Sequence, residues 1–213
     1  MSGDRPTRSA TQATVHVVED DESLRTSLLD LLRAAGYDAR GYASAGDFLL
    51  HPPGDRPGCL LLDVRLPGPS GLDLQAALTE HRIALPVVFL TGHADVTTSV
   101  RAMKAGAIDF LEKPIVREAL FDAVERALAR DAASRAARVA TRQREERLAA
   151  LTPREREILD RVVRGQRSRE IAAELGISLR TVKGYRAQLM EKLGVGSAAE
   201  LGRVAGDFRA PRD

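Results

Sequence analysis

Cysteine and clustered histidine are both scarce in this sequence, and each scarcity excludes a class of site. Cysteine occurs once in the 213 residues, at Cys59, so an intrachain disulfide is excluded. Because Cys59 lies in the apolar run CLLLD, we interpret it as a buried small hydrophobic residue rather than a reactive thiol. Histidines occur only at His16, His51, His81 and His93. Their scatter indicates neither a histidine metal cluster nor a histidine kinase.

Long hydrophobic runs are also lacking. No stretch approaches the roughly 18 apolar residues that a membrane span needs, and the polar start MSGDRPTRSATQ lacks the apolar segment of a signal peptide. We therefore expect a cytoplasmic protein. With 44% hydrophobic residues in 213, the chain can bury a full core and a smaller one, which predicts two domains.

The net charge of +2 conceals a difference between the two halves of the chain. Residues 12–130 contain 12 Lys and Arg against 17 Asp and Glu, a net charge of −5. Residues 131–213 contain 18 against 12, a net charge of +6. The acidic half is a candidate for binding a cation, and the basic half for binding nucleic acid.

The first half alternates strand-like and helix-like segments. Short apolar runs such as TVHVV, CLLLDV and VVFLT are separated by amphipathic stretches and by Pro/Gly loops. Five such repeats favour an α/β fold with a doubly wound, five-stranded parallel sheet. Residues 60–62 and 87–90 are apolar at every position, as expected for strands that are buried on both faces.

Reactive side chains stand where four of these runs end. They are Glu19 with Asp20, then Asp63, Thr91 and Lys113. Since the carboxyl ends of parallel strands meet at one edge of the sheet, these groups are expected to converge there. For any one acidic residue a plain loop position is the simpler interpretation, but the joint occurrence favours a site.

The chemistry of that site follows from its charges. Three carboxylates held together repel one another unless a cation neutralises them, and oxygen ligands without nearby His or Cys favour Mg²⁺. Asp63 ends the strand that is expected at the centre of the sheet, so it is the best nucleophile candidate. Lys113 and the Thr91 hydroxyl are expected to contact the oxygens of a transferred phosphoryl group.

The motifs VVEDDESLR, LLLDVRLPGPSG and VVFLTGHADVTTSVRAMKAGAIDFLEKP resemble the receiver domain of two-component response regulators, especially the FixJ type, with a flavodoxin-like fold. The resemblance implies that Asp63 accepts a phosphoryl group from a sensor histidine kinase. It implies a Mg²⁺ site made by Glu19, Asp20, Asp63 and the backbone carbonyl of Arg65. It further implies that Thr91 and Phe110 form a switch pair and that Lys113 contacts the phosphoryl group. The Lys113-Pro114 peptide is expected to be cis, which would direct the ammonium into the site, and His93 is expected to be a loop residue. Asp21 is interpreted as a helix-opening acid.

Residues 116–148 are rich in Ala and Arg and contain no Gly or Pro, which predicts a continuous helix that becomes a polar linker. Thr152, Pro153 and Glu155 then form a strong helix-start signal. We accordingly divide the chain into a receiver (13–128), a helical linker (129–148) and a second domain (149–208).

The second domain carries a helix-turn-helix pattern, with one helix opening at Ser168, a turn at Gly176 and a second helix capped by Ser178. Gly184 inside the second helix costs roughly 1 kcal/mol relative to Ala, which suggests the close approach of another molecule. LTPREREIL, IAAELGIS, TVK and LMEKLGV resemble the LuxR/NarL-type four-helix DNA-binding domain. The resemblance implies a contact of Lys183 with a base or phosphate, a possible base contact of Arg180, and phosphate contacts of three residues: Arg169, Thr181 and Arg186.

Together these features predict a phosphorylation-controlled transcription regulator with Mg²⁺ as cofactor, not an enzyme. Its expected partners are a sensor histidine kinase, double-stranded DNA, a second copy of itself when phosphorylated, and RNA polymerase. One alternative is a constitutive DNA-binding protein whose receiver is a non-phosphorylated docking module. Another is a hydrolytic phosphotransferase, but Asp63-Val64-Arg65 lacks a second acid two residues after the nucleophile.

Overall fold

The structure is a computed structural model that describes residues 13–92, 96–197 and 200–201. It divides into two compact units between Ala136 and Ala137. This division falls inside the segment that we predict to be the linker.

The first unit contains a five-stranded parallel sheet with the strand order β2-β1-β3-β4-β5. The strands are β1 (Thr14–Val18), β2 (Asp38–Tyr42), β3 (Gly58–Asp63), β4 (Val87–Thr91) and β5 (Asp109–Glu112). The helices between them are α1 (Glu22–Ala34), α2 (Ala45–Leu50), α3 (Gly71–Glu80) and α4 (Val96–Lys104), and α5 (Arg117–Ala149) follows the last strand. The predicted α/β class, strand number and parallel direction are confirmed.

Helices cover both faces of the sheet because residues 60–62 of β3 and 87–90 of β4 are apolar at every position and present apolar side chains to both faces. In β3, Cys59 and Leu61 belong to the cluster that includes residues of α1 and α5. Leu60 and Leu62 belong to the opposite cluster, with residues of α2, α3 and α4. Cys59 is fully buried, and burial raises the pKa of its thiol to about 12, so it is a packing residue, as predicted.

The register of the parallel strands brings their carboxyl ends to one level. Val18 pairs with Leu62, so the next residues, Glu19 and Asp63, leave the sheet side by side. Asp63 itself pairs with Leu90, the residue before Thr91. The edge that the sequence predicts as a site is therefore formed by these strand ends.

The second unit contains α6 (Pro153–Val163), α7 (Ser168–Leu175) and α8 (Leu179–Leu193). Thr152 caps α6 through a complete capping box with Glu155, as predicted. Gly176 adopts the left-handed conformation (φ 63°) in the turn between α7 and α8, and the Ser178 side chain caps α8. Of the expected fourth helix, residues 200–201 are helical and the following residues lie outside the described part of the chain.

The core of the second unit includes the inward faces of α6, α7 and α8. Its buried residues include Ile158, Ile171, Val182, Leu189 and Leu193. No helix in the described part of the chain is both long enough and apolar enough to cross a membrane.

Candidate functional site

Two carboxylates and one ammonium meet at the carboxyl edge of the sheet. Lys113 Nζ donates to Glu19 Oε2 at 2.7 Å and to Asp63 Oδ2 at 2.7 Å. Glu19 is 1% exposed and Asp63 is 5% exposed, so water screens these charges only weakly. The sequence predicted that the three residues converge, and the geometry agrees.

The backbone holds Asp63 from its other side. Its Oδ1 accepts a hydrogen bond from the Arg65 N–H at 3.0 Å. Asp63 is thus oriented by Arg65 through one oxygen and by Lys113 through the other. Whether the Arg65 carbonyl binds a metal, as the resemblance implies, stays a prediction.

The acidic cluster suits a hard cation. Glu19, Asp20 and Asp63 each offer a carboxylate oxygen, and these atoms lie within 4.8 Å of one another. Asp20 is exposed and the other two are buried, so the cluster opens to solvent on the side of Asp20. This all-oxygen donor set fits Mg²⁺ better than a softer metal.

Asp21 has a different role. Its Oδ1 accepts hydrogen bonds from the N–H groups of Ser23 and Leu24, at 2.9 Å and 3.0 Å, and so caps α1. This agrees with the interpretation of Asp21 as a helix-opening acid.

The protonation of the cluster reflects its burial. Burial raises the pKa of Glu19 to about 7, and the Asp63 charge adds to the rise, while the bond from Lys113 opposes it. Burial by itself lowers the pKa of Lys113, but hydrogen bonds to Asp63 and Glu19 outweigh it, so its pKa is raised. Lys113 is therefore charged at neutral pH, and a second cation would favour the ionised form of Glu19.

Thr91 lies on β4, the strand next to that of Asp63, and Phe110 lies on β5, on the far side of β4. Thr91 is the last residue of β4, is 3% exposed, and its carbonyl accepts the Lys113 N–H at 2.7 Å. Phe110 is half-buried on β5, and its ring centroid is 5.7 Å from that of Phe89. The Lys113-Pro114 peptide is cis. His93 lies outside the described residues.

Two residues that support the site were missed in the sequence. Arg25 Nη1 donates to the carbonyls of Glu19 and Asp20, at 2.7 Å and 3.2 Å, and ties α1 to the acidic pair. A Cβ on Gly71 would lie 2.2 Å from the Asp63 carbonyl oxygen, so only glycine lets α3 start this close to β3. Gly71 could have been noticed as the glycine that follows Pro69 and Ser70 in the loop after β3, whereas nothing in the sequence identified Arg25.

The second unit presents a basic surface on α7 and α8. Arg169, Arg180, Thr181 and Lys183 are exposed. Arg186 is half-buried, and its Nη1 lies 3.4 Å from Ser168 Oγ, so it links the two helices. The five predicted DNA-binding residues thus belong to the helix-turn-helix. The Arg186 side chain is less accessible than the other four, because it is half-buried and bonded to Ser168.

Gly184 is exposed on the same helix. A Cβ at this position would meet no atom within 4 Å in the described structure, so the fold does not require glycine here. The neighbouring Tyr185 is half-buried and packs against the core cluster.

Comparison with known proteins identifies both domains. Residues 15–125 match the response regulator receiver domain, and residues 149–205 match the bacterial regulatory proteins of the luxR family. The chain belongs to the response regulators that join a receiver domain to a LuxR-type DNA-binding domain, a family of two-component transcriptional regulators.

Several relatives match over nearly the whole chain. Nodulation protein W of Bradyrhizobium diazoefficiens is 43% identical over 199 residues, which cover 93% of this chain and 88% of that protein. The transcriptional regulatory protein FixJ of Azorhizobium caulinodans is 43% identical over 192 residues, 90% of each chain.

Solved structures give the same result. The response regulator StyR, known from a low-resolution structure, superposes with a TM-score of 0.83 at 44% identity, over 92% of this chain and 99% of that chain. Full-length FixJ from B. japonicum superposes with a TM-score of 0.57 at 35% identity, over 94% of this chain and all of the other.

Proposed function

We propose that Asp63 accepts a phosphoryl group from a phosphohistidine of a sensor kinase. The observation that carries this proposal is the placement of the Asp63 carboxylate against Lys113 and within 4.8 Å of two further acidic side chains. In the transfer, the P–N bond of the phosphohistidine breaks and a P–O bond to Asp63 forms. The Lys113 ammonium is then placed to neutralise the charge of the incoming group.

The proposed cofactor is Mg²⁺, held by Glu19, Asp20, Asp63 and the Arg65 carbonyl. When bound, it would neutralise the carboxylates and the phosphoryl oxygens. The chain's own residues contribute position: Arg25 fixes the backbone of the acidic pair, and Arg65 N–H orients Asp63. The oxygen-only donor set supports this choice of metal.

Thr91 and Phe110 are proposed to report the state of Asp63. Both lie on strands adjacent to the site, and the Thr91 carbonyl is bonded to the backbone of Lys113. A phosphoryl group that bonds the Thr91 hydroxyl would stabilise one of two arrangements of this pair, which is a shift of population rather than a new fold.

The proposed output is DNA binding by the helix-turn-helix as a homodimer. The residues assigned to contact DNA are Arg169, Arg180, Thr181, Lys183 and Arg186. Arg169, Arg180 and Lys183 are exposed and positively charged, which supports this assignment. Two recognition helices in a dimer suit half-sites about one helical turn apart. Contact with RNA polymerase and a cytoplasmic location are proposed from the match to bacterial regulatory proteins.

A docking receiver that is never phosphorylated is the alternative that the same fold allows. The paired Asp63 and Lys113 favour phosphorylation, because a docking surface has no need of a buried carboxylate that is paired with a half-buried ammonium at a strand end. Hydrolytic turnover is disfavoured, since position 65 is an arginine whose N–H already binds Asp63.

Intact-mass analysis after incubation with Mg²⁺ and acetyl phosphate tests the proposal. The wild type should gain one phosphoryl group, and Asp63→Asn should gain none. Asp21→Asn is the matched control, because Asp21 directly follows the acidic pair Glu19 and Asp20 in the sequence but caps α1 instead of joining the cluster. A phosphoryl adduct of undiminished yield in Asp63→Asn would refute the assignment of the acceptor.

A further inference from the structure

A second cavity in the first unit is separate from the acidic site. It has a volume of about 390 Å³ and is lined by residues of β1 and of its neighbour β2, an edge strand of the sheet. Side chains of the two strands form one wall, and residues 51–54 with Arg56 form the other. None of the residues assigned to phosphorylation lines it, and its volume is in the range of small-molecule sites.

The charged residues that line this cavity are all basic. They are Arg40 and Arg56, and the two histidines His16 and His51 line it as well. Neither arginine forms an ion pair with any residue in the described part of the chain. Two unpaired guanidinium groups beside one concave surface favour an anion.

Three acids lie close in sequence to the lining residues, and each has a partner of its own. Asp38 accepts a hydrogen bond at 2.7 Å from the hydroxyl of Thr14, which itself lines the cavity, and Asp55 pairs with Arg135 at 2.8 Å. Asp47 Oδ1 lies 3.7 Å from His51 Nδ1. The Asp38 charge stays beside the cavity and offsets part of the charge of the two arginines.

The remaining lining is aromatic and apolar. His16 Nδ1 lies 3.1 Å from the Tyr42 hydroxyl, and the two rings are 5.8 Å apart. His16 Nε2 is buried without a hydrogen-bond partner among the described residues. Pro52 and Pro53 close the other side. The cavity therefore offers a flat apolar surface next to positive charge.

His16 is neutral in this setting. Burial, together with the charge of Arg40, lowers its pKa to about 4, while Asp38 opposes the fall. If the Tyr42 hydroxyl donates to Nδ1, the proton of the neutral ring is on Nε2. The unpaired atom is then a donor, which suits a negatively charged acceptor.

The loop that forms the second wall is held in place from behind. Arg135 Nη1 donates to the carbonyl and the carboxylate of Asp55, and Arg135 Nη2 donates to the Arg56 carbonyl. Asp131 accepts the Gly58 N–H at 3.0 Å. These bonds to α5 fix the segment that carries Arg56, so the wall is preformed and little ordering is required on binding.

From these observations we propose that the cavity binds a small organic anion, with its negative group between Arg40 and Arg56 and its planar apolar part against Tyr42 and the prolines. The site depends on the fold of the first unit and not on phosphorylation of Asp63. Reversible binding of the anion would then be a second signal to the receiver, in addition to covalent phosphorylation of Asp63.

Titration of the full-length chain with sodium benzoate tests this proposal. Binding is measured by calorimetry and by the NMR resonances of the His16 ring nitrogens. Benzoate should bind at one site and shift the His16 signals. Benzamide, which has the same shape without the charge, should bind at least about tenfold more weakly. Arg40→Gln and Arg56→Gln should each weaken benzoate binding by about tenfold, whereas Arg130→Gln, an exposed position on α5, should not.

Inorganic phosphate distinguishes a compact oxyanion from an organic one. Weaker binding of phosphate than of benzoate supports the organic anion, and tighter binding overturns that part of the proposal. The site itself is refuted if benzoate fails to bind at about 10 mM, or if it binds equally to the wild type and both arginine variants.

Discussion

Lys113 and Asp63 are joined by a 2.7 Å contact between ammonium and carboxylate, although 50 residues separate them in the chain. The same ammonium also binds Glu19 at 2.7 Å. One ammonium group thus neutralises part of the charge of two buried carboxylates. An added metal ion would compete with Lys113 for the same carboxylates.

Lys113→Gln should increase the affinity of the site for Mg²⁺. Removing the ammonium leaves Glu19 and Asp63 without their internal partner, so the negative potential at the cluster rises. We expect a gain in Mg²⁺ affinity of about tenfold, measured by calorimetric or NMR titration. Lys104→Gln, on the exposed side of α4, is the control and should change nothing. An equal or lower affinity in Lys113→Gln would show that Lys113 does not compete with the metal.

Gly184→Ala should stabilise the second unit and weaken DNA binding. The fold leaves open space around a Cβ at this position, so alanine gains about 1 kcal/mol of helix propensity. On DNA the added methyl group should meet the surface that the helix approaches, with a loss of about tenfold in affinity. Denaturant unfolding and binding assays measure the two effects.

Gly46→Ala in α2 is the matched control for this variant. A Cβ there meets only Ser44 Oγ, at 3.8 Å. This change should stabilise the first unit and leave DNA affinity unaltered. Undiminished DNA binding by Gly184→Ala would remove Gly184 from the interface.

Lys183→Ala should weaken DNA binding by about 1–3 kcal/mol if Lys183 reads a base. The side chain is exposed on α8, so no loss of stability is expected. Binding to operator and to unrelated DNA, each at several salt concentrations, separates the possibilities. A loss confined to the operator indicates a base contact, and a uniform loss with a shallower salt dependence indicates a phosphate contact. Full affinity at moderate salt contradicts either role.

His16 should make the first unit less stable in acid. Its pKa is about 4 in the folded chain against the ordinary 6.5, so between these pH values the unfolded state binds a proton that the folded state does not. The stabilisation is present above pH 6.5 and is lost as the pH falls towards 4, by up to about 3 kcal/mol. Urea unfolding of the wild type and His16→Phe at pH 7 and pH 4.5 isolates this contribution. The same pH dependence in both proteins would contradict it.

Apolar runs that end in a reactive residue were sufficient to predict the sheet and the convergence of Glu19, Asp63, Thr91 and Lys113. This worked because strand direction and register follow from hydrophobic pattern and are nearly independent of the polar side chains. The helix-capping roles of Thr152 and Ser178 could also be predicted, since an N-cap is recognised from residues within three positions of it.

Contacts made by long charged side chains were not predictable in the same way. Arg25 reaches the Glu19 and Asp20 carbonyls, Arg135 reaches Asp55, and Arg186 reaches Ser168. Each depends on which of many side-chain conformers the tertiary structure selects, and no local pattern encodes that choice.

Phosphorylation of Asp63 is proposed to control assembly of the DNA-binding form. Light scattering measures the oligomeric state of the wild type and of Asp63→Asn in the presence of Mg²⁺, with and without acetyl phosphate or beryllofluoride. We predict a monomer-to-dimer shift in the wild type with acetyl phosphate, a phosphoryl donor, and with beryllofluoride, a phosphoryl mimic, and no shift in the mutant. A wild type whose mass is unchanged by both reagents, or a mutant that dimerises with them, would contradict the proposed switch.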